Sequence, residues 1–121
     1  VVDGRTYWFA ASTPAVKGTP GTAHLLPNYD EYFIGLKDRS AIQELVKGRV
    51  VGIPGDMFFA NLVVADGQLV GGWTRTVTSR VLRIHVRLAV KVTGVQLRSI
   101  EAQARRYGEF LRLPVELEIA A

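Results

Sequence analysis

Residues 57–90 constrain the fold most, because two turn signals there cut an apolar–polar alternation into three segments of strand length. Residues 58–65 read as a strand, Asp66-Gly67 as a two-residue hairpin turn, and residues 68–77 as the returning strand. Thr78-Ser79 reads as a second tight turn and residues 81–90 as a third strand. A turn at 66–67 sets Val64 opposite Leu69, Leu62 opposite Gly71 and Ala60 opposite Trp73. A turn at 78–79 sets Trp73 opposite Ile84 and Gly71 opposite Val86. Opposed residues share a face. One face then collects Phe58, Ala60, Leu62, Val64, Leu69, Trp73, Leu82, Ile84, Val86 and Leu88. The other collects Asn61, Gln68, Thr74, Thr76, Arg83, His85 and Arg87, with Val63 and Val70 among them. The two hairpins agree on inside and outside, which predicts an antiparallel meander.

The residues that follow supply the element to cover it. Thr93-Gly94-Val95-Gln96 has the form of a capping box, in which the Thr hydroxyl and the Gln side chain each satisfy an orphan backbone amide. The helix it opens carries Leu97, Ile100, Ala104, Tyr107 and Leu111 on one apolar stripe, with Arg98, Arg105, Arg106, Glu109 and Arg112 elsewhere. Pro114 ends it, and residues 115–119 alternate as a last half-buried strand. The expected fold is α+β: a bent antiparallel, barrel-like sheet with a C-terminal amphipathic helix packed on it and a final short strand.

Upstream, residues 5–10 read as a short aromatic strand and residues 12–22 as a loop held open by Pro14 and Pro20. Ser40-Ala41-Ile42-Gln43 reads as another capping box. It starts a short helix that turns Ile42, Leu45 and Val46 inward and stops at Gly48. Residues 52–56, with Pro54, read as a turn. With 121 residues the chain suffices for one domain. It begins with Val, and the Asp3-Gly4 hairpin signal has only two residues before it, so residues 1–121 are expected to be a C-terminal piece of a longer protein. Trp8 and Trp73 are both expected in the core rather than as platforms for stacking bases.

Several function classes drop out on composition. There is no cysteine, hence no disulfide and no thiolate metal site. No apolar run approaches the roughly 20 residues of a membrane span, and residues 1–5 do not form a leader, which points to a cytoplasmic protein with no membrane partner. Charge is unevenly spread. Residues 1–74 hold six Lys/Arg and seven Asp/Glu, residues 75–112 hold nine and two, and residues 113–121 add two glutamates. The basic excess thus lies in one strand pair and one helix, as on a surface facing nucleic acid or as on an ordinary solvated face.

The stretch HLLPNYDEYFIGLKDRS, residues 24–40, crowds carboxylates, aromatics and cations together. His24, Asp30 and Glu31 could serve as an acid/base set or a partial metal site. A closed metal site, however, needs three or four convergent ligands, and adjacent Asp30 and Glu31 on a helical turn diverge. No metal, cofactor or catalytic residue is expected. A structural clamp fits better: Leu25, Leu26 and the aromatics bury the segment, while the Arg39 fork suits a carboxylate such as Asp30 or Glu31. Contact with a neighbouring domain or with DNA is the third reading.

This stretch, followed by NLVVADGQLVGGWTRT and then VTGVQLRSIEAQARRYGEFL, resembles the C-terminal part of the bacterial winged-helix DNA-binding family that includes alkyl-DNA and crosslink-unhooking glycosylases. The most specific residues are Leu25, Leu26, Pro27, Tyr29, Asp30, Glu31, Asp38 and Arg39, and the likeness runs in order over residues 20–113. It implies tandem winged helices upstream of a β-barrel-like domain, and a Gln-centred catalytic motif in the winged-helix part. Gln43, Gln68, Gln96 and Gln103 are scattered here without that pattern. The resemblance therefore implies an accessory, non-catalytic domain. Its partners would be the N-terminal winged-helix domains and double-stranded DNA, bound weakly and without sequence preference.

The candidate DNA contacts are Arg75, Arg80, Arg83, His85 and Arg87, since Arg with nearby Thr suits phosphate oxygens. Arg83, His85 and Arg87 share the solvent face of one strand. By register Arg75 sits on the core face, opposite Leu82, and Arg80 extends the patch near the second turn. The competing function is a purely structural or protein-interaction module whose basic face meets an acidic partner. A small enzyme built on His24, Asp30 and Glu31 is the third.

Overall fold

The Asp66-Gly67 turn forms as its sequence predicts. Both residues take positive φ, 48° and 76°, the left-handed pair a type I′ hairpin needs, which Asp tolerates and Gly adopts freely. The computed structural model describes residues 1, 4–35, 37–47 and 61–121. Along the chain run β1 (Ala23–Leu26), α1 (Glu31–Ile34), α2 (Ser40–Gln43) continued by a 3-10 turn (Glu44–Val46), β2 (Asn61–Ala65), β3 (Gln68–Val77), β4 (Leu82–Leu88), α3 (Gly94–Leu111) and β5 (Val115–Ala120). The sheet order is β1-β2-β3-β4-β5.

The sheet has two ends and is not closed into a barrel, so the barrel-like expectation is corrected to an open five-stranded sheet. Nor is it wholly antiparallel. Strand β5 lies parallel to β4, with Leu82 opposite Val115 and Ile84 opposite Leu117. The reason is the crossover: α3 carries the chain back along the sheet, and a helical crossover delivers the next strand parallel.

A β-bulge changes the expected faces. Val64 pairs with Leu69 as expected, but the next pair is Val63 with Gly71, which leaves Val70 as an extra residue in β3. Leu62 therefore opposes Gly72, and Asn61 opposes Trp73. Each apolar side chain upstream of the bulge trades sides. Leu62 and Leu69 join Phe33 and Val46 in one core under the α1–α2 segment. Val63, Ala65 and Val70 join Trp73, Leu82, Ile84, Val86, Ile100 and Ala104 in the other, under α3. Here the sheet is covered on both faces, which a meander with one wet face does not anticipate. Gly71 permits the bulge, because a Cβ there would collide with the Arg87 carbonyl oxygen of β4. The pairing expected for Ala60 lies outside the described residues, as do Phe58, Asp3, Gly48 and the turn at 52–56.

The second connection spans four residues, 78–81, rather than two. Val77 opposes Leu82, and the Thr78 hydroxyl accepts hydrogen bonds from the Arg80 and Val81 amides at 3.2 and 3.0 Å. Trp73 consequently faces Val86 instead of Ile84. The slip is by two residues, so every side chain of β3 and β4 beyond the bulge keeps its face.

Helix α3 has the capping box that Thr93 and Gln96 predict, with both reciprocal bonds present. It ends where Arg112 adopts φ 55° and the Leu113 amide bonds back to the Gly108 carbonyl at 2.9 Å, just before Pro114. Residues 40–43 do not form the other expected box. Ser40 is already inside α2, and the Asp38 carboxylate two residues earlier accepts from the Ser40 amide at 3.1 Å and its hydroxyl at 2.7 Å. Val46 and Ile42 turn inward as expected, whereas Leu45 is half exposed.

Residues 5–10 form no strand beyond a single bridge at Arg5. Trp8 is 93% exposed while Trp73 is 9%, so only the second tryptophan belongs to the core. An aromatic alternation needs a surface to alternate against, and none of the described elements covers Trp8 or Phe9.

Candidate nucleic-acid interface

Between the ends of β1 and β2, the middle of β3 and the C-terminal half of α3 lies an open groove of about 620 Å³. Its apolar wall is Leu25, Pro27, Trp73 and Tyr107. The Trp73 and Tyr107 rings meet edge to face, centroids 6.1 Å apart and planes at 82°. Trp73 is fixed from behind, its Nε1 donating to the Leu26 carbonyl at 3.0 Å. The polar wall carries Asn28, Asn61 and Gln103, and the Asn61 side-chain oxygen accepts from the Asn28 amide at 2.9 Å. Two exposed guanidiniums, Arg75 and Arg106, complete the lining. That of Arg75 stands over the Tyr107 ring, 5.5 Å from its centroid. No carboxylate lines the groove, and neither arginine is in an ion pair among the described residues.

The five arginine and histidine candidates do not form one patch. Arg75 projects on the α3 side of the sheet, as its register predicts, although its partner is Ile84 rather than Leu82. Arg83, His85 and Arg87 line the opposite side of β4. Parallel β5 lays its own alternation beside them. Glu116 reaches Arg83, Nε to Oε2 at 2.7 Å, and Glu118 lies 3.1 Å from His85 Nδ1. The stripe is thus charge-compensated by residues that a reading of β4 alone does not place next to it. Arg87, beside Ala120, has no acidic partner among the described residues. Arg80 is exposed in the 78–81 turn.

In residues 24–40 several polar groups have a structural task. Asp30 caps α1, its Oδ1 accepting from the Tyr32 amide at 2.9 Å. Asp38 accepts from the Ser40 amide and hydroxyl at the start of α2 and pairs with Arg5. Arg39 donates from Nε to the Phe33 carbonyl at 2.6 Å and lies 5.0 Å over the Phe33 ring. The Tyr32 hydroxyl donates to the Gly67 carbonyl at 2.6 Å, docking α1 on the hairpin turn. Tyr29 takes φ 58° at the bend before α1. Leu25 packs into the α3-side core and Leu26 supplies the carbonyl for Trp73. Glu31 is exposed in the first turn of α1, and His24 opposes Val64, facing away from α3. No group of three or more His, Asp or Glu that could hold a metal ion occurs among the described residues.

One junction escaped sequence reasoning. Asp66 accepts from the Gly21 and Thr22 amides at 2.7 and 3.0 Å through Oδ1, and from Gln96 Nε2 at 2.8 Å through Oδ2. The Gln96 hydrogen bond, with those from Gly21 and Thr22 and against a smaller opposing cost of desolvation, holds its carboxyl below the ordinary carboxylate range. The signal was half visible: a capping-box Gln uses only its oxygen on the helix, leaving the amide nitrogen for another acceptor. Gln103, Arg106 and Tyr107 were likewise legible as helix residues but not as one wall of a groove.

The family model for AlkZ-like DNA glycosylases matches residues 1–110. This chain belongs to the AlkZ-like DNA glycosylase family. The match takes in the groove and the whole of residues 24–40; β5, with Glu116 and Glu118, lies beyond it. Among solved structures the chain is similar to the Streptomyces sahachiroi DNA glycosylase AlkZ, at 19% identity and a TM-score of 0.39. That similarity covers 81% of this chain and 26% of the AlkZ chain, so the chain spans about a quarter of that protein's length. No curated protein sequence matches it. No described helix is long and apolar enough to cross a membrane.

Proposed function

We propose that this AlkZ-like chain is a non-catalytic C-terminal domain of a winged-helix, glycosylase-like DNA-binding protein. It supports the fold of the whole and adds weak, sequence-independent contacts to the backbone of double-stranded DNA. Such a role belongs in the compartment that holds the DNA, the cytoplasm of a bacterial cell. The observation that carries the reading is the pair Arg75 and Arg106, exposed at one groove and without an acidic partner among the described residues. Guanidiniums without carboxylate partners are free to take phosphate oxygens, and such contacts fix position without reading sequence. Arg80, exposed in the 78–81 turn, can extend the contact along the hairpin.

The test is duplex binding by the chain at rising salt. Each phosphate neutralised releases counterions, so log affinity should fall linearly with log salt. A chain that binds no duplex even at low salt would sink the reading.

A second reading has its own observation. Glu116 and Glu118 interleave with Arg83 and His85, giving that face alternating charge rather than a field of one sign. A surface of that kind suits a protein neighbour better than a polyanion. On this reading the sheet face opposite α3 meets another domain, whatever the groove binds.

A further inference from the structure

The Tyr107 hydroxyl is buried and has no hydrogen-bond partner among the described residues. A buried hydroxyl left unpaired is costly, so native structures seldom keep one without a reason. Tyr107 lines the groove, and the Arg75 guanidinium stands over its ring. Arg75 is itself exposed and is held there by no described ion pair, so it can swing outward.

We propose that the groove is a seat for one unpaired nucleotide unit of a nucleic-acid strand, an inference that rests on the DNA-binding reading above. Its volume of about 620 Å³ falls within the range of small-molecule pockets and is far too small for a duplex. Arg75 and Arg106 take the phosphate. As Arg75 turns to that anion it leaves the Tyr107 ring, and the Tyr107 hydroxyl donates to the same group or to the sugar. Asn28, Asn61 and Gln103 offer amides that both donate and accept, which suits the edge of a base. The guanidinium plane of Arg75 gives the base a surface to stack on.

Trp73 lies in the groove and reports on it. The chain's other tryptophan is the exposed Trp8, so Trp8→Phe leaves Trp73 as the sole indole. Titrating that variant with thymidine 5′-monophosphate should give a saturable change in Trp73 emission. Adding Tyr107→Phe should weaken the binding by about fivefold, the loss of one hydrogen bond, while leaving the melting temperature unchanged or raised. A merely structural hydroxyl would move stability and leave affinity alone. Arg75→Gln should weaken binding at least as much. Affinity unaltered by Tyr107→Phe overturns the proposal, the hydroxyl then being satisfied by water. Inorganic phosphate binding as tightly as the nucleotide also overturns it, reducing the groove to a simple anion site. So does the absence of any saturable change. Duplex binding is read separately. A duplex bound without nucleotide binding removes the seat and keeps the DNA reading, and the converse removes the DNA reading alone.

Discussion

Gln96 Nε2 donates to Asp66 Oδ2 at 2.8 Å, so the residue that completes the cap of α3 also ties that helix to the β2–β3 turn. The same carboxylate holds the backbone of Gly21 and Thr22, and Tyr32 bonds the carbonyl of the adjacent Gly67. A two-residue turn thus anchors a helix on each face of the sheet and the strap that leads into β1.

Asp66→Asn keeps a residue that tolerates positive φ and removes the charge, so it isolates the carboxylate. The Asp66 carboxyl titrates below its ordinary value when folded, chiefly through the Gln96 bond. Its contribution is therefore fully present above the unfolded-state carboxylate pKa and is lost as pH falls through the lower folded value. Urea denaturation should show Asp66→Asn less stable than the parent at neutral pH, with the gap closing on acidification below the usual carboxylate range. A gap independent of pH would show that the charge does not matter.

Gly71→Ala should cost about 1–3 kcal/mol, because its Cβ meets the Arg87 backbone carbonyl, which cannot yield as a side-chain tip would. Gly108→Ala should act similarly, since its Cβ would collide with the Leu113 backbone carbonyl oxygen as well as with Val115, where α3 turns into β5. Equilibrium denaturation measures both. A neutral Gly71→Ala would mean that the β3 bulge can relax.

Both of these sites show what the sequence could and could not display. The Asp66-Gly67 turn and the Thr93–Gln96 cap were legible because their chemistry is local, complete within four residues. The bulge at Val70 was not. Residues 62–65, 69 and 70 are nearly all apolar, and a run that is buried on both faces carries no alternation from which to read a slip. The β4 stripe was read correctly as a stripe, yet its character changed once β5 set Glu116 and Glu118 beside it. A parallel partner arriving after an 18-residue helix leaves no mark in β4 itself. Residues 24–40 were recognisable as a signature. The Asp30 carboxylate caps α1, that of Asp38 holds Ser40, and Arg39 grips Phe33.

Glu116→Gln with Glu118→Gln should raise affinity for duplex DNA and steepen its salt dependence, because it frees Arg83 and removes two like charges from the path of the phosphates. Stability should change by less than about 1 kcal/mol, as both pairs are exposed. Fluorescence anisotropy with a short labelled duplex measures the first and thermal melting the second. Unchanged affinity would favour the second reading, in which the β4–β5 face meets a protein neighbour.

Arg75 and Arg106, without acidic partners among the described residues, are proposed to carry the contact with DNA. The most direct measurement is the slope of log affinity against log salt for duplex DNA, compared between the parent chain and Arg75→Gln/Arg106→Gln. With two phosphate contacts removed, the slope should become shallower by roughly 2, and affinity at low salt should fall similarly for unrelated duplex sequences. An unchanged slope in a folded double variant would contradict the account.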